Sequence, residues 1–509
     1  MRQPASVVIL ALSLLALGCE GELIDRDLPT TPTSPPPSPP LLAFRVGDVG
    51  AEGVADMTVD PVGNVYLAGT FAGTVDFDPG AGVNPLTSLG GNDVFVAKYS
   101  SAGAFMWVAR IGGTGAERVT GLVSDAAGNL YLGGAFEGSP DFDPGTGSQV
   151  LTSLGGEDGF VVKLSAAGVL IWNRRIGGPN ADQVSGVGVD ALGRTYAAGN
   201  FSGSANTLPA AGPTLASNGS AQDAFVMGLD ATGAITFAFA VGGTGADRAS
   251  AIAVTTGGTV IVGGSFNGSA SFLAGSTATQ LTSLGGGDAF LAAYSAAGAL
   301  QWARALGGLG EEEVRFGGLA PDNAGGVVAT GTFTGTTDFD GGSLVASRTS
   351  LGSTDWFAVR YDGAGSFLSA FSVGSVAEDP APRPAVDPDG GVLVTGAFSG
   401  AVDFDPGAVT RIIASFGSGG ATDVFTAKYT SGGGLVWISR FGEGTSVAER
   451  QNRGIGVLPF PTGGILVSGQ FFGSPDFDPG TNVFRLTSLG SADGFVVLLT
   501  AAGALSLTP

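Results

Sequence analysis

Two short patterns return seven times along this chain, and they restrict it to a repeat architecture. Gly-x-Phe-x-Gly is centred on Phe71, Phe136, Phe201, Phe266, Phe333, Phe398 and Phe471. Asp-x-Phe begins at Asp93, Asp158, Asp223, Asp288, Asp355, Asp423 and Asp493. The first four copies are 65 residues apart, and later copies drift as insertions accumulate between the anchors. A unit of this size cannot bury its apolar faces alone, so neighbouring copies must stack.

Within a unit the apolar pattern predicts four strands. In the first copy these run from Val54 to Val59, Val65 to Phe71, Val94 to Tyr99 and Ala104 to Ile111. Tight turns, Asp60-Pro61-Val62-Gly63-Asn64 and Ser100-Ser101-Ala102-Gly103, join the first pair and the last pair. The third strand is apolar on both alternating faces, as expected of a sheet covered on both sides. With 89 glycines and no stretch of helical period, an all-β chain follows. Four short strands per repeat, packed on both faces, predict a seven-bladed β-propeller over residues 41–509, with four antiparallel strands per blade. Leu42 to Gly47 is in phase with Trp107 to Gly112, so the body opens on a fourth strand with no partners before it. We expect that strand to pair into the last blade and close the ring.

Segments such as GGTGAERVTGLVSDAAGNLYLGGAF and GGEDGFVVKLSAAGVLIWNRRIGG resemble the bacterial β-propeller repeat abbreviated SBBP. The resemblance covers nearly everything after residue 42. It implies a propeller in an envelope or secreted protein and says little about activity.

The first 40 residues read as an address. Arg2 precedes an apolar run of 11 residues, Val7 to Leu17, too short to span a bilayer. It ends in Leu15-Ala16-Leu17-Gly18-Cys19, which resembles the lipobox of bacterial lipoproteins, although Ala16 stands where Leu is usual. Residues 1–18 are then a signal peptide and Cys19 the lipidated residue; ordinary cleavage leaving a free thiol is the alternative. The Pro-rich stretch TTPTSPPPSPP completes a linker over 19–40, a stiff spacer between lipid and folded body. These features predict an exported protein anchored at the cell envelope, at the outer membrane or cell surface.

The chain carries 44 Asp and Glu against 22 Lys and Arg, a net charge of −22. Nucleic acid is therefore excluded as a partner. There is no histidine, and the one cysteine is Cys19. Ser-His-Asp chemistry, thiol nucleophiles, disulfides and Cys/His zinc sites are excluded with them.

Carboxylates are the remaining candidates. Glu52, Glu117, Asp182, Asp247, Glu312, Glu378 and Glu449 each precede a first strand and are expected to ring one mouth of the central channel. Arg118, Arg248 and Arg450 follow three of them as pairing partners. The motif DFDPG places Asp76 and Asp78, Asp141 and Asp143, Asp403 and Asp405, and Asp476 and Asp478 two residues apart. A variant carries Asp338 and Asp340. Hard oxygens at this spacing suit Ca²⁺, which needs six to eight of them; the other reading is an Asp-stabilised turn. Trp107, Trp172, Trp302 and Trp437 recur on the fourth strand, as inter-blade packing or a sugar-stacking surface. The departures from the repeat are Glu311 to Glu313, Pro380 to Pro384 and Gln451-Asn452-Arg453.

An envelope-anchored, non-enzymatic scaffold for a protein or glycan ligand fits these observations. A structural subunit of an envelope complex is the alternative. A glycan-active enzyme would need two carboxyls tuned apart, and outside the repeated positions only Glu311 to Glu313 offer such a group.

Overall fold

The first repeat forms an antiparallel meander of Ala51–Val59, Val65–Ala72, Asp93–Tyr99 and Phe105–Ile111, paired in that order. In the computed structural model the described residues are 42–48, 51–208, 212–219, 221–274, 277–342, 345–416, 420–443 and 451–506. The expected signal peptide, Cys19 and the linker lie outside them, as does Glu449. The turn after the first strand is closed by Asp60, whose Oδ1 accepts from the amides of Val62 and Asn64. Gly63 supplies the positive φ of 87°. The third strand is buried at every residue, as its two apolar faces require.

The molecule is an all-β propeller. Its backbone hydrogen bonds nevertheless overturn the expectation of a seven-bladed propeller with four antiparallel strands in each blade. Among the described residues only four sheets stop at four strands; other repeats join into a six-stranded and a ten-stranded sheet. The cause is an element absent from the four-strand reading. The DFDPG region forms a two-stranded side ribbon, Thr74–Asp76 with Pro85–Thr87 in the first copy. In later repeats its first strand bonds the end of the preceding repeat's outer strand. Gly112 pairs with Asp141, Ile176 with Thr207, Gly242 with Ser271 and Gly307 with Asp338. Gly374 pairs with Asp403 and Gly442 with Asp476 in the same way. Backbone stitching therefore adds to side-chain packing between repeats.

The N-terminal strand Ala43–Val46 takes the outer place beside Asp493–Leu499, antiparallel, with Ala43 opposite Val497. Leu42 and Val46 are buried there, and Arg45 donates to Asp493 at 2.8 Å. The two ends of the body thus share one sheet, as the phase of Leu42 to Gly47 predicts.

The core repeats a three-ring cluster. Phe71, Phe77 and Phe95 meet with centroids 4.6–6.4 Å apart. Phe136, Phe142 and Phe160 meet in the same way, as do Phe398, Phe404 and Phe425. The ribbon is therefore held by its phenylalanine as well as by its backbone. In the third repeat, where DFDPG is lost, buried Thr207 stands in that place.

Candidate functional site

The DFDPG aspartates bond within their own turn. Asp76 Oδ1 accepts from the amides of Asp78 and Asn84, and Asp78 Oδ1 from Gly80. Asp141 and Asp143, Asp403 and Asp405, and Asp476 and Asp478 repeat this. In the variant copy Asp338 accepts from Asp340 and Ala346, and Asp340 from Gly342. Among the described residues no three His, Cys, Asp or Glu side chains gather into a group able to hold a metal.

Of the described acids expected at the channel mouth, five are buried and Glu378 is exposed. Glu52, Glu117, Asp182, Asp247 and Glu312 are turned into the junctions between repeats and are buried. Each of the last four accepts an amide hydrogen bond from the loop four residues earlier, from Gly113, Gly178, Gly243 and Gly308 respectively. Glu378 is exposed; its neighbour Asp379 makes the equivalent bond, from Ser375 at 2.6 Å. In the last repeat Asn452 holds the matching position and accepts from Phe472.

Across each junction sits the aspartate of Asp-x-Phe from the preceding repeat. Asp93, Asp158, Asp223, Asp288, Asp355, Asp423 and Asp493 are all buried. Each accepts from the loop before it, as Asp93 Oδ2 does from Leu89 at 2.9 Å. The glycine at the end of the outer strand lets the carboxylate approach: a Cβ on Gly112 would fall 2.3 Å from the Asp93 carboxyl carbon. Burial, and next the charge of Asp493, push Glu52 up to about 9. Burial is the largest cause at Glu117 and Glu312 too, with Asp93 and Asp288 adding to it, and both rise to about 7. Asp182 and Asp379 rise to about 6, chiefly by burial. Arg45, Arg110 and Arg175 offset part of this charge, lying 2.8, 3.6 and 2.8 Å from Asp493, Asp93 and Asp158. The third, fourth and fifth repeats carry Ala240, Ala305 and Ser372 in the arginine's place. The rises follow from burying facing carboxyls where one repeat meets the next.

The residues that do face the channel mouth were not singled out as a group by the sequence pattern. Arg118 makes a two-toothed pair with Glu157, at 3.1 and 2.8 Å, rather than with the acidic ring. Arg383 reaches Asp56 of the first repeat at 3.0 Å. Arg453 donates twice to the neutral Gln470 Oε1, at 3.0 and 2.7 Å. Glu313 pairs with Arg315, while buried Glu312 accepts from Thr337 Oγ1. Deeper in, the inner strands surround a cavity of about 440 Å³, with Met57, Val187, Ile252 and Val457 on its wall.

The tryptophans pack between repeats. The indoles of Trp172, Trp302 and Trp437 donate to the carbonyls of Ala231, Gly363 and Ala501 in the next repeat's turn. Trp107 lies over Gly168, where a Cβ would stand 3.2 Å from the ring.

One further set was missed. Leu89, Leu154, Leu284, Leu351, Phe416 and Leu489 occupy one repeated position before the third strand and are 45–69% exposed. Asn218 holds that position in the third repeat. These loops abut the connections that lead into the inner strands, as in the Gly91 to Gly115 and Gly286 to Gly310 bonds. The signal was present in the recurring Ser-Leu-Gly of the sequence, at an unpaired loop position.

The chain is similar over 197 residues, at 23% identity, to an uncharacterized WD repeat-containing protein, L264, of Acanthamoeba polyphaga mimivirus. The match covers 33% of this chain and 14% of the viral protein, so the chain spans a small part of that relative. No protein-family model matches, and the likeness to SBBP repeats rests on the quoted segments alone. Among solved structures, a protein of unknown function from Dyadobacter fermentans aligns at 12% identity with a TM-score of 0.35, covering 90% of this chain and 98% of that one. The exotype rhamnogalacturonan lyase YesX aligns at 13% identity with a TM-score of 0.26, covering 89% and 75%.

Proposed function

We propose that this chain is a non-enzymatic binding scaffold, tethered at the cell envelope through Cys19, that presents one propeller face to a protein or glycan partner. The observation that carries the reading is the rim of exposed apolar side chains at one repeated position. These six exposed apolar side chains recur at equivalent positions in successive repeats, so a partner meeting several repeats there would bury several of them together. The enzyme alternative is less favoured because the carboxyls whose pKa values are raised, Glu52, Glu117 and Glu312 among them, are buried at the junctions. A WD-repeat relative and a propeller body suit a scaffold. The apolar run before Gly18-Cys19 supports the tether.

The test uses the full chain expressed in a lipoprotein-processing bacterium. Acyl labelling should follow the wild type and vanish in Cys19→Ala, which should leave the membrane fraction. Chemical cross-linking in intact cells should then give a defined set of envelope partners. The Leu89→Ser, Leu154→Ser, Leu284→Ser, Leu351→Ser variant should lose most of them with its fold intact by circular dichroism. An unchanged set of partners would remove the rim from the reading, and acylation independent of Cys19 would remove the tether.

A further inference from the structure

We propose that the channel mouth is an anion-binding site that takes a small organic oxyanion, with Arg453 and Arg383 as its main contacts. It lies apart from the apolar rim and does not depend on it. The cavity there has a volume of about 620 Å³ and is lined by Arg118, Arg383, Arg453, Gln470, Thr70 and Phe316, among others. That volume falls within the range of small-molecule sites. Among the described lining residues there is no carboxylate, in a chain whose net charge is −22.

The charge balance is local. Arg118 is answered by Glu157 and Arg383 by Asp56. Among the described residues Arg453 donates only to the amide oxygen of Gln470. Burial and the neighbouring charge of Arg383 both act against the Arg453 cation, so one positive charge is left uncompensated beside another. An incoming carboxylate or phosphate relieves that repulsion. The planar forks of two guanidiniums match either oxyanion in a two-toothed fashion. Val54, Val119, Ile455 and half-exposed Phe316 supply apolar wall for the body that carries the charge.

None of this follows from the sevenfold pattern. Arg453 lies in the Gln451-Asn452-Arg453 departure and Arg383 within Pro380 to Pro384. The equivalent of Arg453 is Gly53 in the first repeat, Gln183 in the third and Glu313 in the fifth. The arginines converge because the inner strands of the sixth, seventh and second repeats line the same side of the mouth.

The experiment is calorimetric titration of the full chain with glucuronate, glucose 6-phosphate, glucose and inorganic phosphate, each at low and high salt. These probes share a body or a charge and separate the two. The expected result is binding of glucuronate or glucose 6-phosphate in preference to glucose, weakened by salt. The loss in Arg453→Gln should be at least tenfold and in Arg453→Lys smaller, with both variants melting like the wild type. A preference for the carboxylate or for the phosphate sugar names the oxyanion. Binding of inorganic phosphate alone removes the organic body from the proposal. It is overturned if no anion binds at millimolar concentration, if glucose binds as tightly, or if Arg453→Gln binds unchanged.

Discussion

Replacing Glu117 with glutamine should make the protein more stable at alkaline pH and leave it unchanged in acid. Glu117 is buried at the junction with Asp93, and one of its oxygens, Oε1, has no hydrogen-bond partner. Burial is the chief reason its carboxyl rises from 4.5 to about 7; the Gly113 amide opposes the rise, and Asp93 and Glu137 add to it. The folded chain therefore holds this proton more tightly than the unfolded chain. The stability that comes with the proton is complete below about 4.5 and is lost as pH climbs through about 7. At about 1.4 kcal/mol for each tenfold change in acidity, the full loss is about 3 kcal/mol, and on the order of 2 kcal/mol with some water access. Glutamine keeps the volume and the bond from Gly113 and carries no charge to lose. A body of roughly 460 residues unfolds with an entropy near 1 kcal/mol per degree, so the gain should be about 2–3 °C in Tm. Differential scanning calorimetry of both proteins at pH 4 and pH 9 measures this, with Glu378→Gln at an exposed position as control. The wild type should itself melt lower at pH 9 than at pH 4. An equal Tm difference at both pH values, or a variant less stable at pH 9, would refute the buried-pair reasoning.

Deleting residues 42–47 removes buried Leu42, Phe44 and Val46 and leaves the buried carboxylate of Asp493 without Arg45; at roughly 2 kcal/mol for each apolar side chain, less the ordering entropy, Tm should fall by a few degrees. An unchanged melt would show that the strand does not close the ring. Melts in calcium and in chelator should superimpose, because the oxygens of Asp76 and its counterparts already serve their own turns. A rise in calcium that vanishes in Asp76→Asn, Asp141→Asn would instead make the ribbons metal sites.

The repeats and their strands were legible, though not the division into blades, because two periodicities coincide in the sequence. The sevenfold anchors locate the repeats, and alternation within them locates the strands, so Val65–Ala72 and Asp93–Tyr99 fall within a residue of expectation. The side ribbon was not legible. Thr74–Asp76 is three residues long, too short to show alternation, and in later repeats the same strand bonds a different repeat. The phenylalanine of DFDPG did carry the signal, since an apolar residue between two aspartates needs somewhere to go, and it goes into the three-ring core.

The acidic ring shows why a repeated residue can be read correctly in position and wrongly in direction. Glu117 begins its inner strand, and a register shift between Val119 and Gly121 follows at once; the same shift falls between Val54 and Asp56 and between Val184 and Gly186. A bulge of one residue reverses which side chains point to which face. Acids such as Glu117 and Asp182 are buried at the junctions, where one repeat meets the next, and the residues that follow them, Arg118 and Gln183, line cavities at the mouth. A sevenfold residue that holds neighbours together is constrained by the ring and is not free to recognise a partner. The position behind it carries no such constraint, and there the chain varies from Gly53 to Arg118, Gln183, Arg248, Glu313, Pro380 and Arg453. Specific chemistry in a ring of near-identical units can therefore come from that variable row, where Arg118, Arg248, Glu313 and Arg453 carry the charge.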